Sequence, residues 1–129
     1  MAWSKPLGGF AREVEQTQNK RLRAAALQGF SGVIERSPVD EGTFRGNHRV
    51  SVGSPDNAYD EDLTDSAGDK TLSDGFQIIG QVNNPFAVIY VQNNSPYGPP
   101  LENGSSKQAP QGVYAITFND LKEAAGRDF

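Results

Sequence analysis

GFAREVEQTQNKRLRAAALQGFSGVIER, residues 9–36, is the stretch on which the fold turns. Phe10, Val14, Leu22, Ala26, Phe30, Val33 and Ile34 recur at intervals of mostly three, four or eight, which sets them on one stripe of a helix. Glu13, Glu15, Gln16, Lys20, Arg21, Arg23 and Gln28 occupy most of the remaining circumference. Gly29 and Gly32 weaken the last turns by up to about 1 kcal/mol each relative to Ala, and either lets another backbone come close. Ser37 precedes Pro38 and is pushed out of the helical region, so the helix stops near Arg36.

Beyond the helix, residues 38–46 are rich in turn formers, with Asp40 placed to cap the next turn. His48, Val50 and Val52 then alternate with Asn47, Arg49 and Ser51, the pattern of a half-buried strand. Residues 54–75 hold seven carboxylates against Lys70 alone and little apolar surface, which predicts a long, mobile acidic loop. Phe76–Val82 and Phe86–Val91 read as two further strands, joined in a hairpin by Asn83-Asn84-Pro85. Residues 93–112 are turn formers almost throughout, with Leu101 as the main apolar anchor. Val113–Phe118 reads as a fourth strand of poor alternation, and Leu121–Ala125 as a helical turn. The expected fold is α+β: a long N-terminal helix packed on a small antiparallel sheet, with long loops, in one domain spanning residues 1–129.

Composition narrows the function. With no Cys there is no disulfide framework, thiolate nucleophile or Cys-based metal site, and one His cannot build a multi-histidine cage. Neither a membrane-length apolar run nor the apolar core of a signal peptide is present, so the expectation is a protein made in the cytoplasm. The formal net charge of −4 is unevenly spread. Residues 1–50 carry eight Lys/Arg against five Asp/Glu, whereas residues 51–129 carry four against eleven. Such polarity fits either assembly with neighbours or two ordinary solvated faces.

Candidate chemistry is sparse. His48 could act as a general base oriented by Asp40 or Glu41, but its place in a strand pattern favours a structural role. Asp60-Glu61-Asp62 with Asp65 could catch calcium, yet the spacing of a calcium-binding helix–loop–helix is absent and a solvated loop is favoured. Lys20, Arg21 and Arg23 could grip phosphate, the basis of an alternative reading as a small nucleic-acid-binding module. No nucleophile elbow, phosphate-cradling loop or zinc-protease motif occurs. The expectation is a non-enzyme without cofactor or metal.

Two stretches carry a resemblance. The first is Ser37-Pro38-Val39-Asp40-Glu41-Gly42-Thr43-Phe44-Arg45-Gly46-Asn47, between helix and strand. The second runs Val91-Gln92-Asn93-Asn94-Ser95-Pro96-Tyr97-Gly98 and then Leu101-Glu102-Asn103-Gly104-Ser105-Ser106-Lys107-Gln108-Ala109-Pro110-Gln111-Gly112. In order and spacing this resembles the neck or tail-completion proteins of tailed bacteriophages, also described as minor tail components or head–tail connectors. Their pattern is Pro-Val-Asp-x-Gly-x-x-Arg at the helix exit, then a strand ending in Asn, Pro-Tyr, Leu/Val-Glu-x-Gly and Gln-Ala-Pro-x-Gly. Val113-Tyr114 stands where an aliphatic residue or Met is common, and the 54–75 insertion is unusually acidic.

The resemblance implies a structural virion protein at the head–tail junction, in a homo-oligomeric ring, six-fold favoured, around the DNA channel. Its implied partners are head-closure or connector proteins and tail-terminator or tail-tube proteins. DNA would pass without sequence-specific binding, and no membrane is involved. A tail-terminator ring capping the tube is the alternative within the same class. The candidate interaction or loop-scaffold residues are Pro38, Asp40, Gly42, Arg45, Pro96, Tyr97, Glu102, Gly104, Gln108 and Pro110, with Arg45 expected to pair with a carboxylate such as Glu102.

Overall fold

A computed structural model describes residues 7–38, 42–96, 98–104, 108–109 and 112–125. In chain order the elements are α1 (Leu7–Arg36), α2 (Gly42–Gly46), β1 (His48–Val52), α3 (Asp69–Gly80), β2 (Ile89–Asn93), α4 (Gly98–Glu102) and α5 (Tyr114–Ala125). The fold is α+β, with the long helix packed on a two-stranded antiparallel sheet. The strands pair with His48 opposite Asn93 and Val52 opposite Ile89.

The apolar stripe of α1 is used unequally. Phe30, Val33 and Ile34 are buried, whereas every residue from Phe10 to Gln18 is exposed. Packing therefore begins near Asn19, whose side-chain amide donates to the Val82 carbonyl at 2.9 Å. Around the buried half of α1 the core forms two clusters. Phe30, Ile34, Val50 and Ile79 join α1 to β1 and α3. Val33, Phe44, Leu101, Ala109 and Val113 join it to α2, α4 and the approach to α5. Gly32 marks the α1–α5 crossing, where an added Cβ would stand 2.7 Å from Thr117 Cγ2, and Gly29 faces Phe118 and Leu121.

Three expected elements differ. Of the strand expected over 76–82, residues 76–80 instead form the end of α3, and 81–82 follow it outside any strand. Thr71, Gly75 and Ile79, spaced by four, form its buried line. A Cβ on Gly75 would come within 2.0 Å of the Phe30 ring, so only glycine lets the helix lie this close. Asn83-Asn84-Pro85 accordingly closes no hairpin, since β2 starts at Ile89 and pairs with β1. Val113–Phe118 is also not a strand: from Tyr114 it belongs to α5, whose course includes the helical turn expected at 121–125.

The acidic segment departs from the mobile loop expected at 54–75. Its last seven residues belong to α3, and the rest is tied down by side chains. Asn94 donates to the carbonyls of Asp56 and Ala58, both at 2.8 Å, and Gln92 accepts from the Asp56 amide at 3.1 Å. Buried Asn47 pairs with the Asp60 backbone in both directions, at 2.8 and 2.9 Å. Polar ties here replace the apolar anchors that the segment lacks.

Candidate interaction site

The first motif is a clamp on the end of α1. Buried Pro38 follows the helix, as expected. The Arg45 guanidinium donates to the Glu35 carbonyl at 3.3 Å and to the Ile34 carbonyl at 3.0 Å, which also accepts from the Ser37 amide, so it reinforces the carbonyl end of the helix. It also donates to the Ser66 carbonyl at 2.6 Å, so one side chain ties α1 to the acidic segment. Gly42 makes room for that segment: a Cβ there would meet Ser66 Oγ at 2.7 Å.

The second motif is a cap on α5. Glu102 accepts from the amides of Val113 at 3.1 Å, Tyr114 at 2.7 Å and Ala115 at 2.9 Å, which are donors at the start of that helix. Burial raises its carboxyl, but the three amides together outweigh that effect and hold it below the usual range. Gly104 and Gly112 both adopt positive φ, at 82° and 84°. A Cβ at Gly112 would also strike the Glu102 carbonyl oxygen at 2.5 Å. These residues shape the return of the chain around the carboxylate.

Arg45 and Glu102 therefore do not pair with each other. Each satisfies backbone groups at the end of a different helix, which accounts for both residue types without an ion pair. Pro96 and Gln108 are exposed, while Asp40, Tyr97 and Pro110 lie outside the described residues. The acidic side chains also have local structural roles. Asp65 accepts from the Gly68 amide and from the amide and hydroxyl of Thr71 at the start of α3. Burial raises its carboxyl, but the bonds from Thr71, Gly68 and Lys70 bring it below its ordinary value. Among the described residues, no three His, Asp or Glu side chains come together in a way that could hold a metal ion.

His48 sits between the two motifs. It lies edge-on to Phe44, with ring centroids 5.0 Å apart, and its Nδ1 is 2.7 Å from the Tyr114 hydroxyl. Its Nε2 meets Ser37 Oγ, which donates onward to the Val33 carbonyl at 2.6 Å. A neutral ring with its proton on Nε2 satisfies the whole chain: Tyr114 donates to His48, His48 to Ser37, and Ser37 to Val33. Burial, aided by the Arg45 charge, lowers the His48 pKa to about 3. Burial and the nearby Glu102 charge push the Tyr114 phenol upward. A ring this deeply enclosed and difficult to protonate serves as a structural linchpin.

Large apolar side chains remain exposed on two surfaces. One surface is the projecting half of α1, with Phe10 53% exposed. Another surrounds residues 83–88. The Asn84 carbonyl accepts from the Ala87 amide at 3.1 Å, while Asn84 Oδ1 accepts from the Phe86 amide at 2.9 Å. This turn presents Phe86 at 86% exposure, followed by Val88 at 55%. Val52, Ile78 and Val88 border an adjoining groove of about 700 Å³. Sequence reading placed Phe86 in a strand and missed this tip; the Asn84-Pro85 turn signal was the available clue.

No protein-family model, curated protein or solved structure matches the chain. None of the helices in the described residues is long and apolar enough to cross a membrane.

Proposed function

We propose that this chain is a structural protein of the neck of a tailed bacteriophage, forming part of a ring around the DNA channel and joining the filled head to the tail. The observation carrying this reading is the division of labour in the fold. The motif residues Arg45, Glu102 and Gly112 secure the frame, while large apolar side chains remain exposed on a projecting helix and a hydrogen-bonded turn. That arrangement supports stoichiometric assembly through buried surfaces rather than turnover.

The charged recess beside β1 and α3 fits the non-enzymatic reading. Its Arg49 pairs with Asp56 at 3.4 Å and its Lys70 with Asp74 at 2.7 Å. On the possible phosphate-binding face, Arg23 donates to the Val82 carbonyl, leaving exposed Lys20 and Arg21 as a small basic patch. We assign the protein to the virion neck after synthesis in the host cytoplasm, with head-closure and tail-tube or terminator proteins as partners and a six-fold ring.

Electron microscopy of a lysate made by a phage lacking the protein tests this function. Packaged heads and complete tails should accumulate unjoined. Tails of uncontrolled length would identify a tube terminator instead, and normal joined infectious virions would refute the neck assignment.

A further inference from the structure

The two-stranded sheet leaves one edge of β2 unpaired. The Gly53 amide donates to the Val88 carbonyl at 2.9 Å, which fixes the phase of the ladder. In an antiparallel pair the bonded positions alternate, so Arg49, Ser51, Tyr90 and Gln92 bond across the sheet, while Ile89 and Val91 turn their amides and carbonyls outward. Those outward groups have no hydrogen-bond partner among the described residues. The outer positions of β1 are closed by comparison. His48 and Val50 are each 4% exposed, whereas every residue of β2 is half-buried.

The same edge overhangs an apolar recess. Leu22 and Ala25 of α1, Ile89 and Val91 of β2, and Phe118 and Leu121 of α5 are among its walls, and its volume is about 170 Å³. Packed helices lie about 8–10 Å apart, or roughly two strand spacings. With α1 beneath the strand pair, α5 therefore lies under the place a third strand would take. On α5, Tyr114, Phe118 and Leu121 follow one another at helical spacing and stay half-buried.

We propose that the β2 edge receives an extended segment of another protein as a third strand, with its backbone paired to Ile89 and Val91 and one apolar side chain in the recess. The chemistry of the occupant follows from the site. Unpaired amides and carbonyls select an extended backbone. Side chains alternate across a strand, so the residue opposite Val91 and those two positions away point toward α5 and should be apolar. The residues between them share the face of Tyr90 and Gln92 and can be polar. A cavity of about 150 Å³ with aliphatic and aromatic walls accepts a benzene ring, so this recess suits one branched aliphatic or small aromatic side chain.

A second copy does not fit the same edge. Pairing β2 to β2 about a two-fold axis would carry the α5 of the second copy beneath this β2, where α1 already packs. The edge suits a lone arm that brings no helical layer with it. The contact is separate from the Phe86 turn and from the projecting half of α1, and it does not depend on the neck assignment.

Amide exchange followed by nuclear magnetic resonance on the free chain gives the first test. The Tyr90 and Gln92 amides should be protected, and those of Ile89 and Val91 should exchange freely. Short peptides selected from a random library displayed on yeast supply the probe. Selected sequences should carry apolar residues at alternate positions, bind with a Kd below about 1 mM, and protect the Ile89 and Val91 amides. Methylating the peptide amides one at a time should weaken binding at least about tenfold at every second position and little between, because alternate amides point to β2. Ala25→Phe, shown to be folded by circular dichroism, should block binding, with Ala25→Met as the milder plug if the larger side chain disturbs folding.

A Val91 amide already protected in the free chain overturns the inference. So does a selection without binders, a methylation pattern without a period of two, or binding that a folded Ala25 variant leaves unchanged. Protection of Val91 that appears only as the chain associates with itself, followed by sedimentation velocity, would give the edge to a second copy and overturn it equally. Normal head–tail joining without the protein would refute the neck reading and leave peptide binding intact.

Discussion

Acidification from about pH 7 to about pH 5 should destabilise the protein through one side chain. His48 has a folded pKa of about 3, set by burial and then by the Arg45 charge. In the unfolded chain it titrates near 6.5. Between those values the unfolded state takes up a proton that the folded state refuses, so stability is fully present above the unfolded pKa and falls as pH drops. The slope approaches about 1.4 kcal/mol per pH unit, giving a loss of about 2 kcal/mol between pH 7 and pH 5. For a chain of this length that is a fall of roughly 6–10 °C in thermal midpoint. The assignment is direct because the sequence has one His, while Asp65 and Glu102 have lowered pKa values and lose their contributions only at more acidic pH. Urea unfolding followed by circular dichroism at three pH values provides the measurement. His48→Gln should lower stability at pH 7 by about 2–4 kcal/mol, because it disrupts buried hydrogen bonds to Ser37 and Tyr114. The same variant should abolish the slope between pH 7 and pH 5. A wild-type stability constant within about 0.5 kcal/mol over that interval, or a slope that survives the substitution, would refute the neutral-linchpin account.

Glu102→Gln should cost about 1–2 kcal/mol, since a neutral amide accepts the α5 amides less strongly and turns its NH₂ group toward donors. Hydrogen exchange should localise the loss to amides 113–117. Replacing residues 54–75 by a short Gly/Ser linker should abolish cooperative unfolding, because it removes the Asp65 bonds at the start of α3 and the close fit of Gly75 on Phe30. A thermal midpoint kept within a few degrees would show that these contacts contribute little.

The long helix and β1 were legible because their buried residues follow the matching periodicities. Phe30, Val33 and Ile34 fall together on a helical stripe, and within β1 the buried His48 and Val50 alternate with the less buried Arg49 and Ser51, although Asn47 just before the strand is buried too. The stretch 76–82 misled because a short apolar run has no unique period, and a boundary placed at Phe76 divided one helix between an acidic loop and a strand. Asp65 and Gly68 contained the start signal, but their role depends on contacts with Thr71 and Ile34. At the candidate site, Pro38, Gly104 and Gly112 announced their local conformations. The partners of Arg45 and Glu102 were not legible, because both bind backbone groups whose positions follow from the tertiary fold.

The continuity of α1 also determines how its exposed half can exist. A free peptide covering Phe10–Gln18 would have to nucleate its own helix, fixing several residues for the first hydrogen bond, and nine residues are too few to recover that cost in water. In the protein, the turns from Asn19 onward are already held against the rest of the chain, so each preceding residue needs only to propagate an existing helix. The buried half of α1 thus acts as a template for the projecting half. A surface carried in this way would meet any binding partner with most of its backbone order already in place.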